Sequence, residues 1–298
     1  MSEGLNLKIA DIVFSILPTE NIKGFSLNKN YTPFAADGEP DVVLETIRNG
    51  NPLLIKGGLS GKKTLFNTTI WNYEQADGRH IFNFSLSPKN NRPERILALE
   101  PDYKKGKIIL TKVRGLKNGI LQSPFSYPID QLLMISLLPL MQGLLVHSCG
   151  FKYKNKGFLF IGQSGAGKST LSQIAEKNKG VHVLNDDRIA VRKRQGSFYV
   201  YGTPWHGTAE IVSPEKAPLS GLFFLKKDAK NSLRELSATD IVSRLFKFSF
   251  LPFWDREGIA SALKVCEDIA TSIPCFEFSF TPDDRAFELI RKEIISYT

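Results

Sequence analysis

The chain has 298 residues, 42% of them hydrophobic, and a formal net charge of +9 from 39 Lys and Arg against 30 Asp and Glu. That is long enough for two ordinary domains with a sizeable core, and the apolar content is normal for a soluble globular protein. The basic excess is spread along the chain and suits an anionic ligand; no basic run interleaved with aromatics points to nucleic acid. Cys149, Cys266 and Cys275 lie far apart with no CxxC pair, which excludes a zinc ribbon or a disulfide framework and suits reduced thiols. The first residues, MSEGLNLKIAD, lack a basic segment followed by an apolar one, so a cytoplasmic protein without a signal peptide is expected.

In chain order, residues 1–125 read as a β-rich domain. Leu7–Phe14 is expected as a first strand. Thr64–Tyr73 and Arg79–Ser87 are β-branched and aromatic around Ala76-Asp77-Gly78, which predicts a hairpin. Arg95–Leu99 and Lys107–Val113 form a second pair. Gly57–Lys63 lacks phosphate-loop spacing and reads as a basic hairpin turn. Ser123-Pro124-Phe125-Ser126-Tyr127-Pro128 marks a domain boundary, and residues 126–298 turn α/β. Leu132–Val146 is apolar but shorter than the ~20 residues of a membrane span and is broken by Pro139 and Gly143. It reads as a buried helix from about Ile129 running into a strand, Leu144–His147. Further strands are expected at Gly157–Ile161, Val181–Leu184, Ser197–Tyr201, Leu222–Leu225 and Ile273–Phe280. Helices are expected at 238–248 behind a Ser237 cap, at Arg256–Ala270, and after Thr281-Pro282-Asp283-Asp284.

The stretch 162–170, GQSGAGKST, fits G-x-x-x-x-G-K-[ST] between an apolar strand and a helix, the context that makes this motif a phosphate-binding loop. Gly162, Gly165 and Gly167 let the backbone turn tightly, so that N–H groups from Ser164 to Thr170, through Ala166, converge on one spot at a helix N-terminus. Lys168 supplies a cation for the outer phosphates, and the Ser169 hydroxyl is a Mg²⁺ ligand. Such a site needs an acid at a strand end. Asp186 and Asp187 follow Lys168 by only 18 and 19 positions; one helix and one strand fill that gap, so they are expected to end the strand beside the phosphate loop. Being adjacent, they should leave it on opposite faces. One would face the phosphates, and the other would bind metal or hold a neighbour. His147 ends its own strand, and a hairpin over Phe151–Gly157 would bring that strand next to the loop's.

The run VHSCGFKYKNKGFLFIGQSGAGKST…HVLNDDRIAV resembles the catalytic core of HPr kinase/phosphorylase and its relatives in the phosphoenolpyruvate-carboxykinase-like superfamily. The resemblance is specific over roughly 144–192. It implies an α/β fold in which a β-rich N-terminal domain precedes a P-loop HPr-kinase/carboxykinase-like domain, with ATP and Mg²⁺ as cofactors. It also implies that Asp186 is the general base toward a seryl hydroxyl, that Asp187 is its supporting or metal-linked partner, and that His147 sits beside the transferred phosphoryl group. Thr170 stands where that family usually has Glu, and the glycine-rich segments for docking a protein substrate are missing. In their place, Tyr201–Thr208 resembles a loop of HPr-kinase-like proteins of biosynthetic clusters, including lasso peptide kinases. Trp205, His206 and Arg188 are the residues assigned to an acceptor pocket, with a packed turn Trp as the equal alternative.

The reading is a kinase that passes a γ-phosphoryl to a hydroxyl on a peptide, protein or small molecule, with no nucleic acid and no membrane span. Arg188, Arg244 and Arg256 are candidates to stabilise the transferring group. The alternative is a nucleotide-sensing module without transfer. A carboxykinase would be longer and show manganese ligands; an ABC-type ATPase would show an LSGGQ-like signature. The donor nucleotide, the acceptor and assembly into a homo-oligomer, common in the relatives, stay open.

Overall fold

A computed structural model describes residues 3–19, 21–50, 63–85, 93–113, 116–281, 285 and 288–292. The proposed turn at Gly57–Lys62 and the cap Pro282-Asp283-Asp284 lie outside the described residues. The chain divides into two compact units, Met1–Leu133 and Met134–Thr298.

The first unit is β-rich. Its strands are β1 (Leu5–Ile9), β2 (Ile12–Pro18), β3 (Gly24–Ser26), β4 (Val42–Arg48), β5 (Lys63–Asn67), β6 (Trp71–Ala76), β7 (Arg79–Phe84), β8 (Arg95–Leu99), β9 (Lys105–Leu110) and β10 (Ile120–Gln122). Eight form one sheet in the order β1-β2-β4-β9-β8-β7-β6-β5, and β3 pairs with β10. The single strand expected over Leu7–Phe14 is in fact a hairpin. Ala10 and Asp11 take φ of 52° and 56°, the two left-handed residues of a tight primed turn that carries no glycine. Thr64–Tyr73 is likewise two strands. Trp71 N–H donates to the Thr68 hydroxyl (3.0 Å), which itself donates to the Trp71 carbonyl (2.8 Å), closing a turn inside the expected strand. The Asp77-Gly78 hairpin is present, with φ of 51° and 75°.

The helix α1 (Ile129–Leu140) leads into the second unit. There follow β11 (Gly143–Tyr153), β12 (Lys156–Ile161), α2 (Lys168–Glu176), β13 (Val181–Asn185), β14 (Arg188–Arg194), β15 (Ser197–Tyr201), β16 (Lys216–Lys227), β17 (Ser232–Glu235), α3 (Ala238–Phe248), β18 (Ser249–Phe250), α4 (Arg256–Ser272) and β19 (Cys275–Phe280). Two long strands organise it. The first half of β11 pairs with β14; its second half pairs with β12 on one edge and β13 on the other. β16 pairs with β15 at its start, then runs parallel to β12 and β19. The path β12-β11-β14-β15-β16 therefore returns to β12.

Each face of these strands has its own cover. Leu222 and Phe224 of β16 pack with Leu159, Ile161 and the α3 and α4 residues Ile241, Leu245, Val265 and Ile269. Phe223 and Leu225 pack with Phe158, Phe160 and the α2 residues Leu171 and Ile174. Burial on both faces is why β12 and the middle of β16 read as unbroken apolar runs. α3 starts where expected, with the Ser237 hydroxyl accepting from Asp240 N–H (3.2 Å). Leu245→Ala, at a fully buried site, is expected to cost about 2–5 kcal/mol, and Ser237→Ala about 1 kcal/mol. Chemical denaturation checks the contrast; equal losses would refute this account of α3.

Candidate active site

β12 ends at Ile161 and α2 begins at Lys168, with the glycine-rich loop between them. Gly167 has φ +101°, and a Cβ there would lie 2.6 Å from Phe280 Cζ, so backbone conformation and packing both require glycine. No side chain caps the N-terminus of α2; its first N–H groups are available to an anion.

Lys168 is 7% exposed and curls over the loop. Its Nζ donates to the carbonyl oxygens of Gly162 (2.6 Å) and Gln163 (3.2 Å) and lies 3.0 Å from His147 Nε2. Burial lowers its pKa from the usual lysine value. His147 Nδ1 faces Asp187, 3.2 Å from both Oδ1 and the backbone carbonyl. Two acceptors on that side assign the proton to Nδ1, so Nε2 receives the lysine N–H. Asp187 Oδ2 also pairs with Arg188 at 2.8 Å. Burial alone would raise the Asp187 carboxyl; the His147 hydrogen bond, with Arg188 and Lys168 nearby, outweighs it and holds the pKa below the usual range.

Asp186 is 2% exposed and is oriented otherwise. Its two oxygens accept from the backbone N–H groups of Gly207 and Ala209, each at 2.8 Å. The loop it grips approaches closely, since a Cβ on Gly207 would lie 2.7 Å from Asp186 Oδ2. Thr208, at the tip, donates to the Ser169 hydroxyl (3.3 Å). A cleft of about 380 Å³ results, lined by His147, the loop residues 164, 165 and 167–170, Asp186, Asp187, Gly207, Thr208 and Lys227.

The acids line one cleft with the glycine-rich loop, and β11 stands between β12 and β13. One expectation about the acids needs correction: they do not lie within a strand but occupy a bend between β13 and β14. The bend is made by Asn185, which is fully buried. Its Oδ1 accepts from the N–H groups of Asp187 (2.8 Å) and Arg188 (2.9 Å), and its Nδ2 donates to the carbonyls of Thr203 (3.0 Å) and Ile211 (3.2 Å). The loop's strand does lie beside that of His147, as expected, with Ser148 opposite Ile161.

Trp205 is 5% exposed, so the packed alternative holds and its ring is not presented to a ligand. His206 Nδ1 lies 2.8 Å from the Gly207 carbonyl. Of the three arginines, Arg188 adjoins the cleft through Asp187 and lies over Phe250 (5.4 Å). Arg244 is paired with Glu277 (2.9 Å), and Arg256 is exposed at the start of α4. Cys149 is buried, which pushes its thiol up to about 12. Asn185 and Lys227 were not singled out from sequence. Parity along the Leu222–Leu225 strand carries a signal for Lys227; no local pattern marks Asn185.

Among the described residues, no group of three or more His, Cys, Asp or Glu side chains is arranged to hold a metal. The oxygen donors lining the cleft, Ser169, Asp186 and Asp187, are hard ligands of the kind Mg²⁺ uses with phosphate oxygens and water.

No family model and no curated protein matches the chain. Among solved structures, it is similar to the HPr(Ser) kinase/phosphatase from Coxiella burnetii, at 14% identity, covering 51% of this chain and 93% of that chain with a TM-score of 0.29. A score of 0.29 assigns no role to any residue of this chain. No helix among the described residues is long and apolar enough to cross a membrane.

Asn185→Leu keeps the volume but leaves two buried N–H groups and two carbonyls short of a partner. The expected loss is about 3 kcal/mol or more in urea unfolding. A loss under about 1 kcal/mol would show that the bend is held by other contacts.

Proposed function

We propose that this chain is a phosphotransferase that binds ATP with Mg²⁺ and passes the γ-phosphoryl to a hydroxyl group. One observation carries the reading: Lys168 and Ser169 from the start of α2 and Asp186 and Asp187 from the bend after β13 line a single cleft at an uncapped helix N-terminus. A bland glycine turn would have no reason to gather two carboxylates and a buried lysine there.

The loop amides and Lys168 bind the phosphates, with Lys168 exchanging its carbonyl partners for phosphate oxygens. Ser169 and Asp187 would hold Mg²⁺, which neutralises phosphate charge when bound. The acceptor oxygen forms a bond to the γ-phosphorus, the bond to the bridging oxygen breaks, and ADP leaves. Asp186 takes the hydroxyl proton. His147 is a positioning residue here: with Nδ1 turned to Asp187, it holds Lys168 through Nε2 rather than moving a proton itself. Arg188, beside Asp187, is the arginine best situated to meet the transferring group. The acceptor class is a hydroxyl-bearing peptide, protein or small molecule.

A second reading, a nucleotide-binding sensor without transfer, draws on the burial of Asp186. Both of its oxygens already accept backbone N–H bonds, an arrangement that also suits a purely structural acid.

Two variants separate the readings. Asp186→Asn, assayed with γ-labelled ATP and a cell extract, should keep ATP affinity within about threefold while labelling of extract acceptors falls at least ~100-fold. Undiminished labelling would remove Asp186 as the base, and absence of labelling by the wild-type chain that still binds ATP would favour the sensor. Lys168→Ala should weaken ATP binding by about tenfold or more in calorimetry; an unchanged dissociation constant would overturn the phosphate-loop reading.

A further inference from the structure

β16 leads a second cation to the same cleft. It runs parallel to β12 with Ile161 opposite Phe224, so both strands deliver their C-terminal ends to the loop, where ligands of such sheets bind. Side chains of β16 alternate between faces. Leu222 and Phe224 belong to the core under α3 and α4, whereas Phe223 and Leu225 belong to the core under α2. Leu225 abuts the loop itself, its Cβ 3.3 Å from where a Cβ on Gly162 would be. The next residue on that face is Lys227, which lines the cleft with Lys168 and Ser169. Lys226 falls on the other face and pairs with Asp228 at 3.7 Å.

The charges around the cleft give Lys227 a purpose. Asp187 is matched by Arg188, and the three N–H directions of Lys168 are already taken by Gly162, Gln163 and His147. Asp186 adds a further negative charge at the wall. A nucleoside triphosphate is more negative than one magnesium ion and one lysine neutralise, even when Lys168 exchanges its carbonyl partners for phosphate oxygens. Lys227 is exposed and has no ion-pair partner among the described residues. We infer that Lys227 is a second phosphate-binding cation, outside the glycine-rich motif, which sets affinity according to the charge of the nucleotide. This rests on the phosphate-loop reading above.

Calorimetry with ATP, ADP and adenosine tests it on the full chain and on Lys227→Ala, Lys227→Arg, Lys226→Ala and Lys168→Ala. Loss of Lys227 should weaken ATP binding about fivefold, ADP binding less, and adenosine binding not at all, as for an exposed ion pair. Lys227→Arg should stay within about twofold of wild type. Lys226→Ala, which removes the same charge one residue away on the opposite face, should leave affinity unchanged. Equal losses for Lys226→Ala and Lys227→Ala would reduce the effect to net charge and overturn the inference. So would full ATP affinity in Lys227→Ala while Lys168→Ala has lost it, and in that case the phosphate-loop reading survives. If wild-type chain and Lys168→Ala bind ATP alike, both readings fall together.

Discussion

The side chain of Asn185 holds the candidate site in one piece. A buried amide has two donors and an acceptor to satisfy, and an unmet one costs on the order of 1–3 kcal/mol. Here the oxygen takes the consecutive backbone N–H groups of Asp187 and Arg188, and the nitrogen bonds two carbonyls of the 203–211 segment. One residue therefore fixes the bend that carries Asp186 and Asp187 and ties to it the loop that meets them. Thr203 adds a second tie, its hydroxyl donating to the Arg188 carbonyl at 2.6 Å. With both ties in place, Gly207 and Ala209 meet Asp186 at hydrogen-bonding distance, and no side chain larger than hydrogen fits at 207. The acids owe their different partners to this clamp, not to the pleat of a strand.

The clamp also explains how a buried lysine is tolerated. Desolvation disfavours the charged form of Lys168, and the compensation comes from acceptors rather than from a contacting carboxylate: two loop carbonyls and the Nε2 side of His147. Asp187 acts on the lysine one step removed, by holding the proton of His147 on Nδ1 so that Nε2 stays an acceptor. A histidine charged on both nitrogens would set a donor 3.0 Å from the ammonium. The order Asp187, His147, Lys168 thus has a direction imposed by hydrogen-bond roles, and it leaves Arg188 to balance the outer carboxylate oxygen.

Much of this arrangement was legible in the residues. The loop, its strand and helix, the acids and His147 are local patterns, and the structure gathers them in one cleft. The helix starting behind Ser237 and the Asp77-Gly78 hairpin were legible because a cap and a primed turn are written in adjacent residues. What was hidden depends on non-local pairing. Ala10-Asp11 carries no glycine, so the two-residue turn lacks the residue that usually marks one. The break at Thr68 is made locally, by hydrogen bonds to Trp71, through a hydroxyl that also occurs in ordinary strands. The parallel pairing of β4 with β2 and β9 joins segments far apart in sequence. Asn185 looked like the tail of a strand, because its four partners lie on either side of a loop whose path only the fold determines. Trp205 reads equally well as a packed residue and as a stacking platform until burial is known.

The short spacing between lysine and acids follows from β11. Gly150 pairs with Asn185 and His147 pairs with Arg188, so three steps along β11 match three steps from β13 into β14. The register does not slip across the acids, and Ser148 N–H still donates to the Asp187 carbonyl at 3.0 Å. β13 and β14 are in effect one strand along one edge of β11, opened at two residues where β11 turns from its β14 pairing to its β12 pairing. No connecting loop is needed, and one helix and one short strand suffice to return the chain from Lys168 to the carboxylates. The cost is that both acids sit at a point of divergence between pairings, where backbone groups lose regular partners. Asn185 supplies those partners, which makes the position next to the acids, rather than the acids themselves, the place where this geometry is decided.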